Sequence, residues 1–172
     1  AEGRGRSADD LAFLRDAADF RNLLLVEQPN GDFGQTLMRQ FLFDAWHVPM
    51  LGALTSSSDI RVAEIAEKAS KEAAYHLERS SDLVIRLGDG TGESHRRMQS
   101  ALDFLWPYAG EMFLADPADA AIAETGLGPA SESLKPSSRA YVDGVLPDAT
   151  LKAPQNDYAQ RGGRTGRHSE HL

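Results

Sequence analysis

Two long stretches of helical periodicity constrain this chain more than any other feature. The first runs from Phe33 to Leu54 and the second from Asp59 to Leu87. In the first, Leu37, Phe41, Asp44, Val48, Leu51 and Thr55 recur at alternating spacings of four and three, which places them on one helical face. In the second, Val62, Ala66, Ala69, Ala73, His76, Ser80, Leu83 and Leu87 do the same. The second stretch contains no Gly or Pro before Gly88, so the reading is one straight helix of roughly 43 Å. The short link Thr55-Ser56-Ser57-Ser58 makes the two helices antiparallel neighbours. The first helix is apolar on nearly every side, adding Met38, Leu42, Phe43, Trp46 and Met50 to its stripe. Such a helix belongs between other helices or in a contact between protomers. Pro49 removes one backbone hydrogen bond and frees the carbonyl of Ala45, which predicts a kink and a polar spot.

Asp44 lies inside the apolar stripe. A bare carboxylate there costs several kcal/mol, so it needs a metal, a cation or a hydrogen-bond partner unless the stripe turns it to water. Ferritin-like di-iron bundles supply a Glu from each of two helices and a Glu-x-x-His from each of the other two. Asp44-Ala45-Trp46-His47 has that spacing with Asp in place of Glu. In the next helix Glu72 is followed three residues later by Tyr75 where the His belongs, and His76 comes one step late. One step is about 100° of rotation, so His76 does not substitute directly. Lys68 lies one turn before Glu72. Counted from the connecting loop, Asp44 and Glu72 have similar offsets and are expected at similar heights. The reading is therefore a degenerate metal-site cluster of Asp44, His47, Lys68, Glu72, Tyr75 and His76. In it, Lys68 replaces the metal as counter-charge between Asp44 and Glu72. No catalytic, cofactor-binding or metal-holding residue is assigned.

The remaining segments fit around this pair. Ser7 with Asp10 resembles a capping box opening a helix with Leu11, Leu14, Ala18 and Leu25 inward. Pro29-Asn30-Gly31 is a turn, and Asp32 with Gln35 is a second capping box. A third long helix starts near Glu93, with Met98, Leu102, Leu105, Ala109 and Met112 on one face. Asp116-Pro117 opens a short helix ending near Gly126. Residues 127–138 form a connection, and a further short helix is expected from Ser138 to Leu146. Residues 147–167 read as irregular, ending in the basic RGGRTGR, and are expected to be exposed or draped over a partner. The chain divides into a helical bundle core over residues 7–115 and, in the same domain, short helices and a tail over 116–172. The glycines of GDGTG lack the Lys-Ser/Thr of a phosphate loop, and His168 with His171 form only an isolated pair. No strand alternation is visible.

Composition narrows the function. A net charge of -8 and a pI of about 5.1 argue against general binding to nucleic acid or anionic membranes. No cysteine is present, which removes thiol chemistry and disulfides. No apolar run spans a bilayer and no signal peptide opens the chain, so a cytoplasmic protein is expected.

The stretches FRNLLLVEQPNGDF (Phe20 to Phe33), RQFLFDAWHVPML (Arg39 to Leu51), IAEKASKEAAYHLERSSD (Ile65 to Asp82) and RLGDGT (Arg86 to Thr91) resemble the C subunits of bacterial phenylacetyl-CoA epoxidase. That complex is the multicomponent oxygenase of phenylacetate degradation. MQSALDFLWPYAGEMF (Met98 to Phe113) and LKAPQNDYAQRGGRTGRHSEHL (Leu151 to Leu172) are similar as well. The resemblance implies an all-α, ferritin-like antiparallel helical bundle. It implies a non-catalytic structural role beside a catalytic A subunit, which carries the di-iron centre and binds the CoA thioester. No cofactor is implied for this chain. Family members carry two helices before this stretch and one after HSEHL, so the resemblance also implies that the bundle is incomplete here and truncated at both ends. Apolar faces left bare would then favour self-association into a homo-oligomer. Two other functions compete with this one: a self-contained ferritin-like di-iron protein, and a helical interaction protein unrelated to oxygenases.

Overall fold

The computed structural model describes residues 5–156 and 158–172. Among these residues seven α-helices follow one another: α1 Ala8–Phe13, α2 Leu24–Glu27, α3 Phe33–Leu54, α4 Ile60–Gly88, α5 Gly92–Ala109, α6 Pro117–Glu124 and α7 Lys135–Asp148. Short 3-10 turns at Ala17–Asp19, Gly110–Phe113 and Ser131–Leu134 lie between them, and a fourth at Gly163–Thr165 follows α7 in the tail. Among the described residues there is no β-strand.

The boundaries follow local chemistry. Asp32 accepts the backbone N–H of Gln35 at 3.0 Å and starts α3. The Gln35 side chain donates to the carbonyl of Pro29 instead of closing a box on Asp32. Asp59 caps α4 through the N–H of Arg61, and Thr91 caps α5 through that of Ser94. Asp116 and Asp119 form a reciprocal capping box at α6, with Pro117 in its first turn.

α3 lies at the centre, against α4, α5 and α7. Phe41 and Met38 are fully buried on it, and Leu25, Val84, Met98, Leu102 and Leu105 surround them. On α4 the buried positions are Ala66, Ala73, Leu77, Ser80, Ser81, Val84 and Gly88. The stripe expected from strict 4-3 spacing holds at Ala66, Ala73 and Ser80 and falls one residue behind at His76 and Leu83. A 3.5-residue repeat drifts about 20° per heptad against a straight helix of 3.6. Along the helix beyond Ala73 that drift replaces His76 by Leu77 and Leu83 by Val84 on the buried side.

Two expectations for the periphery are corrected. The capping box of Ser7 and Asp10 forms, but α1 ends at Phe13 and buries none of its residues. Leu14 lies exposed outside it, because the chain leaves the helix there and enters the core only from Leu24. The tail is not loose either: Ala149, Leu151 and Gly163 are buried against the rest of this chain.

Pro49 does leave the Ala45 carbonyl without its helical partner. The Ser138 hydroxyl of α7 donates to that oxygen at 2.6 Å, in a buried position. The gap in one helix thus becomes the docking point of another.

Candidate functional site

The stripe of α3 carries Asp44 into the seam with α4, where it is 1% exposed. The Gln40 amide, one turn earlier, donates to Oδ1 at 2.7 Å. The Ser80 hydroxyl of α4 donates to Oδ2 at 3.1 Å. Burial pushes the Asp44 carboxyl above its usual range, while Gln40, Ser80 and the nearby His76 and His47 oppose that rise. His47 is half-buried, and burial lowers its basicity while Asp44 acts to raise it. Its ring stacks on Trp46 at 6.2 Å and tilts against Phe43 at 5.1 Å. The Trp46 indole Nε1 is buried without a partner among the described residues.

The expected counter-charge is absent from this seam. Lys68 and Glu72 lie on the exposed side of α4, with no hydrogen bond or ion pair between either of them and Asp44. Tyr75 is 65% exposed and leans on His76, which is exposed too. Of the six residues, the structure brings together Asp44 and His47, with His76 in electrostatic reach, and leaves Lys68, Glu72 and Tyr75 outside. Two physical causes account for this. Lys68 is two residues from Ala66, about 200° around the helix, too far even for a long stem to reach inward. In addition, side chains lean toward their own helix N-terminus. Asp44 leans away from the α3–α4 loop and α4 residues lean toward it, so the partner of Asp44 lies farther along α4 than Glu72. Ser80 is that partner, eight residues and roughly 12 Å of helix beyond.

The donor set does not fit a pair of iron ions. Both oxygens of Asp44 are engaged by neutral donors, and the carboxylate of Glu72 faces outward. Among the described residues no group of three or more His, Cys, Asp or Glu side chains is arranged to hold a metal.

A second polar cluster escaped the sequence reading. Glu111, in the 3-10 turn after α5, is 2% exposed. Its Oε2 accepts the backbone N–H of Leu24 at 2.7 Å, and its Oε1 accepts those of Gly162 at 2.7 Å and Gly163 at 3.1 Å. Glu27, at the end of α2, accepts from the Asn22 amide at 2.8 Å, His168 Nδ1 at 2.7 Å and the Ser169 backbone at 2.7 Å. Burial alone would raise the Glu27 carboxyl; the donors from His168, Ser169 and Asn22 outweigh it and hold the group below its usual range. An ionised carboxylate only accepts, so Nδ1 of His168 carries the proton. His171 is separate from this cluster, its ring 3.8 Å from the neighbouring Glu170.

The paired glycines of RGGRTGR are what let the tail close on Glu111. Gly162 has a φ of 140°, and a Cβ on Gly163 would lie 2.3 Å from the Asn22 carbonyl. Two successive N–H groups aimed at one oxygen form a small anion-binding nest. Arg164 adds an ion pair to Asp119 and donates to the Leu114 carbonyl at 3.0 Å. The available signals were Glu27 inside LLLVEQ and Glu111 inside the apolar YAGEMF, charged residues in apolar runs with a basic, glycine-rich segment downstream.

The model of the family described as phenylacetic acid catabolic protein matches residues 1–172. The chain is 45% identical over 164 residues to the C subunit of 1,2-phenylacetyl-CoA epoxidase from Escherichia coli (strain K12). The match takes in 95% of this chain and 66% of that protein, so the chain spans just under two thirds of its relative's length. With its all-helical architecture and a match along its whole length, the chain belongs to the phenylacetic acid catabolic protein family, whose fold is the ferritin-like helical bundle.

Proposed function

We propose that this chain is a non-catalytic structural subunit of a multicomponent di-iron oxygenase that epoxidises the ring of phenylacetyl-CoA. Its partner is the catalytic A subunit, in which the di-iron centre and the CoA thioester are expected. The similarity to the Escherichia coli protein supplies the reaction and the complex. The observation that carries the non-catalytic role is the fate of the Asp44 carboxylate. In the seam where a di-iron bundle places its ligands, Gln40 and Ser80 occupy it instead. In such a seam Ser80 hydrogen-bonds Asp44 across the two helices and Gln40 does so along α3, which leaves neither carboxylate oxygen free to hold a metal. Self-association accompanies the role. Phe33, Ile65 and Tyr75 are large apolar side chains exposed along α3 and α4, and covering them favours a second copy or a partner subunit.

Co-expression with the catalytic subunit tests the proposal. The expected result is a stable complex whose iron partitions entirely to the catalytic chain, with ring epoxidation lost when this chain is omitted. Near-stoichiometric iron in this chain alone, together with oxygen consumption on phenylacetyl-CoA, would establish the self-contained di-iron alternative instead. Failure to co-purify with the catalytic subunit would leave a helical protein of another role and overturn the assignment.

A further inference from the structure

Away from the α3–α4 seam, α3, α5 and α7 enclose an open-mouthed cavity of about 80 Å³. Leu42, Ala45, Met112 and Val142 are buried around its floor, and the Trp106 and Phe113 rings form its walls. The exposed residues that line it, and therefore form its rim, are Lys135, Arg139, Asn156 and Tyr158. The Arg139 guanidinium lies 4.6 Å from the centre of the Trp106 ring. It is held there by Asp143, whose two carboxylate oxygens accept from its Nε at 2.9 and 3.0 Å. Lys135 has no ion pair among the described residues. Among the described residues, Lys135, Arg139 and Asp143 together leave one net positive charge beside the cavity, in a chain whose formal charge is -8. The N-terminus of α7, which begins at Lys135, adds its positive dipole end to the same rim.

We infer that this cavity binds a small amphiphilic carboxylate, with its hydrocarbon body against Trp106 and its charge at Lys135 and Arg139. Three features favour that class. The Ser138 hydroxyl, which lines the floor, is committed to the Ala45 carbonyl, so the floor favours an apolar body. The volume is below the roughly 150 Å³ at which an apolar cavity takes up a whole benzene, so a ring or short alkyl chain enters only in part and its head stays at the rim. The rim is cationic while the chain as a whole is acidic, so charge selects the head group at short range, within a Debye length of about 8–10 Å. The inference is independent of the proposed structural role, because neither Asp44 nor the tail cluster lines this cavity.

The test titrates the full chain with 3-phenylpropionate and hexanoate, and with 3-phenylpropanamide as the uncharged counterpart. Calorimetry gives the affinity, and the two indole N–H resonances report where the ligand sits. The expected result is saturable carboxylate binding with Kd near 1 mM or tighter. The Trp106 resonance shifts, the amide binds at least about threefold more weakly, and affinity falls with added salt. Lys135→Gln, at an exposed position without an ion partner, lowers carboxylate affinity about three- to fivefold and leaves the fold intact. Ala109→Phe fills the cavity and abolishes binding. No saturable binding below about 10 mM, equal affinity for the amide, or no effect of Lys135→Gln would each overturn the inference. Binding that vanishes as chain concentration rises would do so as well, by showing that a second copy fills the cavity.

Discussion

Glu111→Gln is the substitution whose cost the structure defines most sharply. The carboxylate accepts three backbone N–H bonds, from Leu24 and from Gly162 and Gly163, and the residue is buried from water. Hydrogen bonds to a charged acceptor contribute about 1.5–3 kcal/mol each, though three on one group are not additive. Gln keeps the shape but offers one acceptor oxygen and one NH2 group, so at least one backbone N–H meets a donor. One such bond lost and one buried N–H left unsatisfied cost about 2–5 kcal/mol in total. That is a large share of the roughly 5–15 kcal/mol that stabilises a domain. Denaturant titration measures the loss, and amide hydrogen exchange locates it. Exchange at Gly162, Gly163 and Leu24 should accelerate before that of α3, because the tail lifts before the bundle opens. If Oε1 is the oxygen retained, Leu24 is the amide released; if Oε2, it is the glycine pair. A loss below about 1 kcal/mol with unchanged exchange at all three amides would refute the claim that Glu111 ties the tail to α2.

Three further outcomes are expected. Ser138→Ala should cost about 1–2 kcal/mol by orphaning the Ala45 carbonyl, and most of that cost should disappear in a Pro49→Ala background, where residue 49 regains its N–H; chemical denaturation of the four variants in the cycle reads the coupling. Lys68→Met should change stability by no more than about 0.5 kcal/mol by the same measure, since Lys68 is exposed and makes no bond to Asp44. Acid unfolding should show two opposite contributions. Glu27 has a lowered folded pKa, so its contribution is complete above the unfolded value of 4.5 and is lost as pH falls through the folded one. Asp44 has a raised folded pKa, so its contribution is present below the unfolded value of 3.8 and is lost as pH rises through the folded one. Glu27→Gln should therefore flatten the loss of stability below pH 4.5, and Asp44→Asn should steepen it, in pH-dependent denaturation curves.

What the residues disclosed ahead of the structure divides along physical lines. The helices α3, α4 and α5 were legible because caps and periodicity act within one element: Asp32, Asp59 and Thr91 mark starts, and Phe41 and Leu102 mark faces. Asp44 was legible as a buried carboxylate for the same reason. Its partner was not, because partner choice depends on helix register and side-chain lean, which bring Ser80 rather than Glu72 to the carboxylate. A strict heptad period places His76 and Leu83 on the buried face of α4, where drift against the 3.6-residue helix brings Leu77 and Val84 instead, while Ser80 stays buried. The tail was illegible for a further reason. Its order comes from contacts to Glu27 and Glu111, more than fifty residues away, and not from any local pattern in RGGRTGR.

The buried carboxylates divide the work of this fold between two places. Asp44 has neutral donors, a raised pKa and two imidazoles in electrostatic reach, so its charge is tolerated rather than required. Ser80 and Gln40 would hydrogen-bond an amide there nearly as well, so the seam does not depend on Lys68 as a counter-charge. Glu27 and Glu111 have the opposite character. Glu111 accepts three backbone N–H groups, and Glu27 accepts one backbone N–H with the Asn22 and His168 side chains, so in each case two carboxylate oxygens join segments that come from two places in the chain. The seam thus holds a carboxylate on side-chain donors, whereas the tail closes on carboxylates that bridge distant segments. The polar chemistry of Glu27 and Glu111 is organised to hold this chain's own segments together.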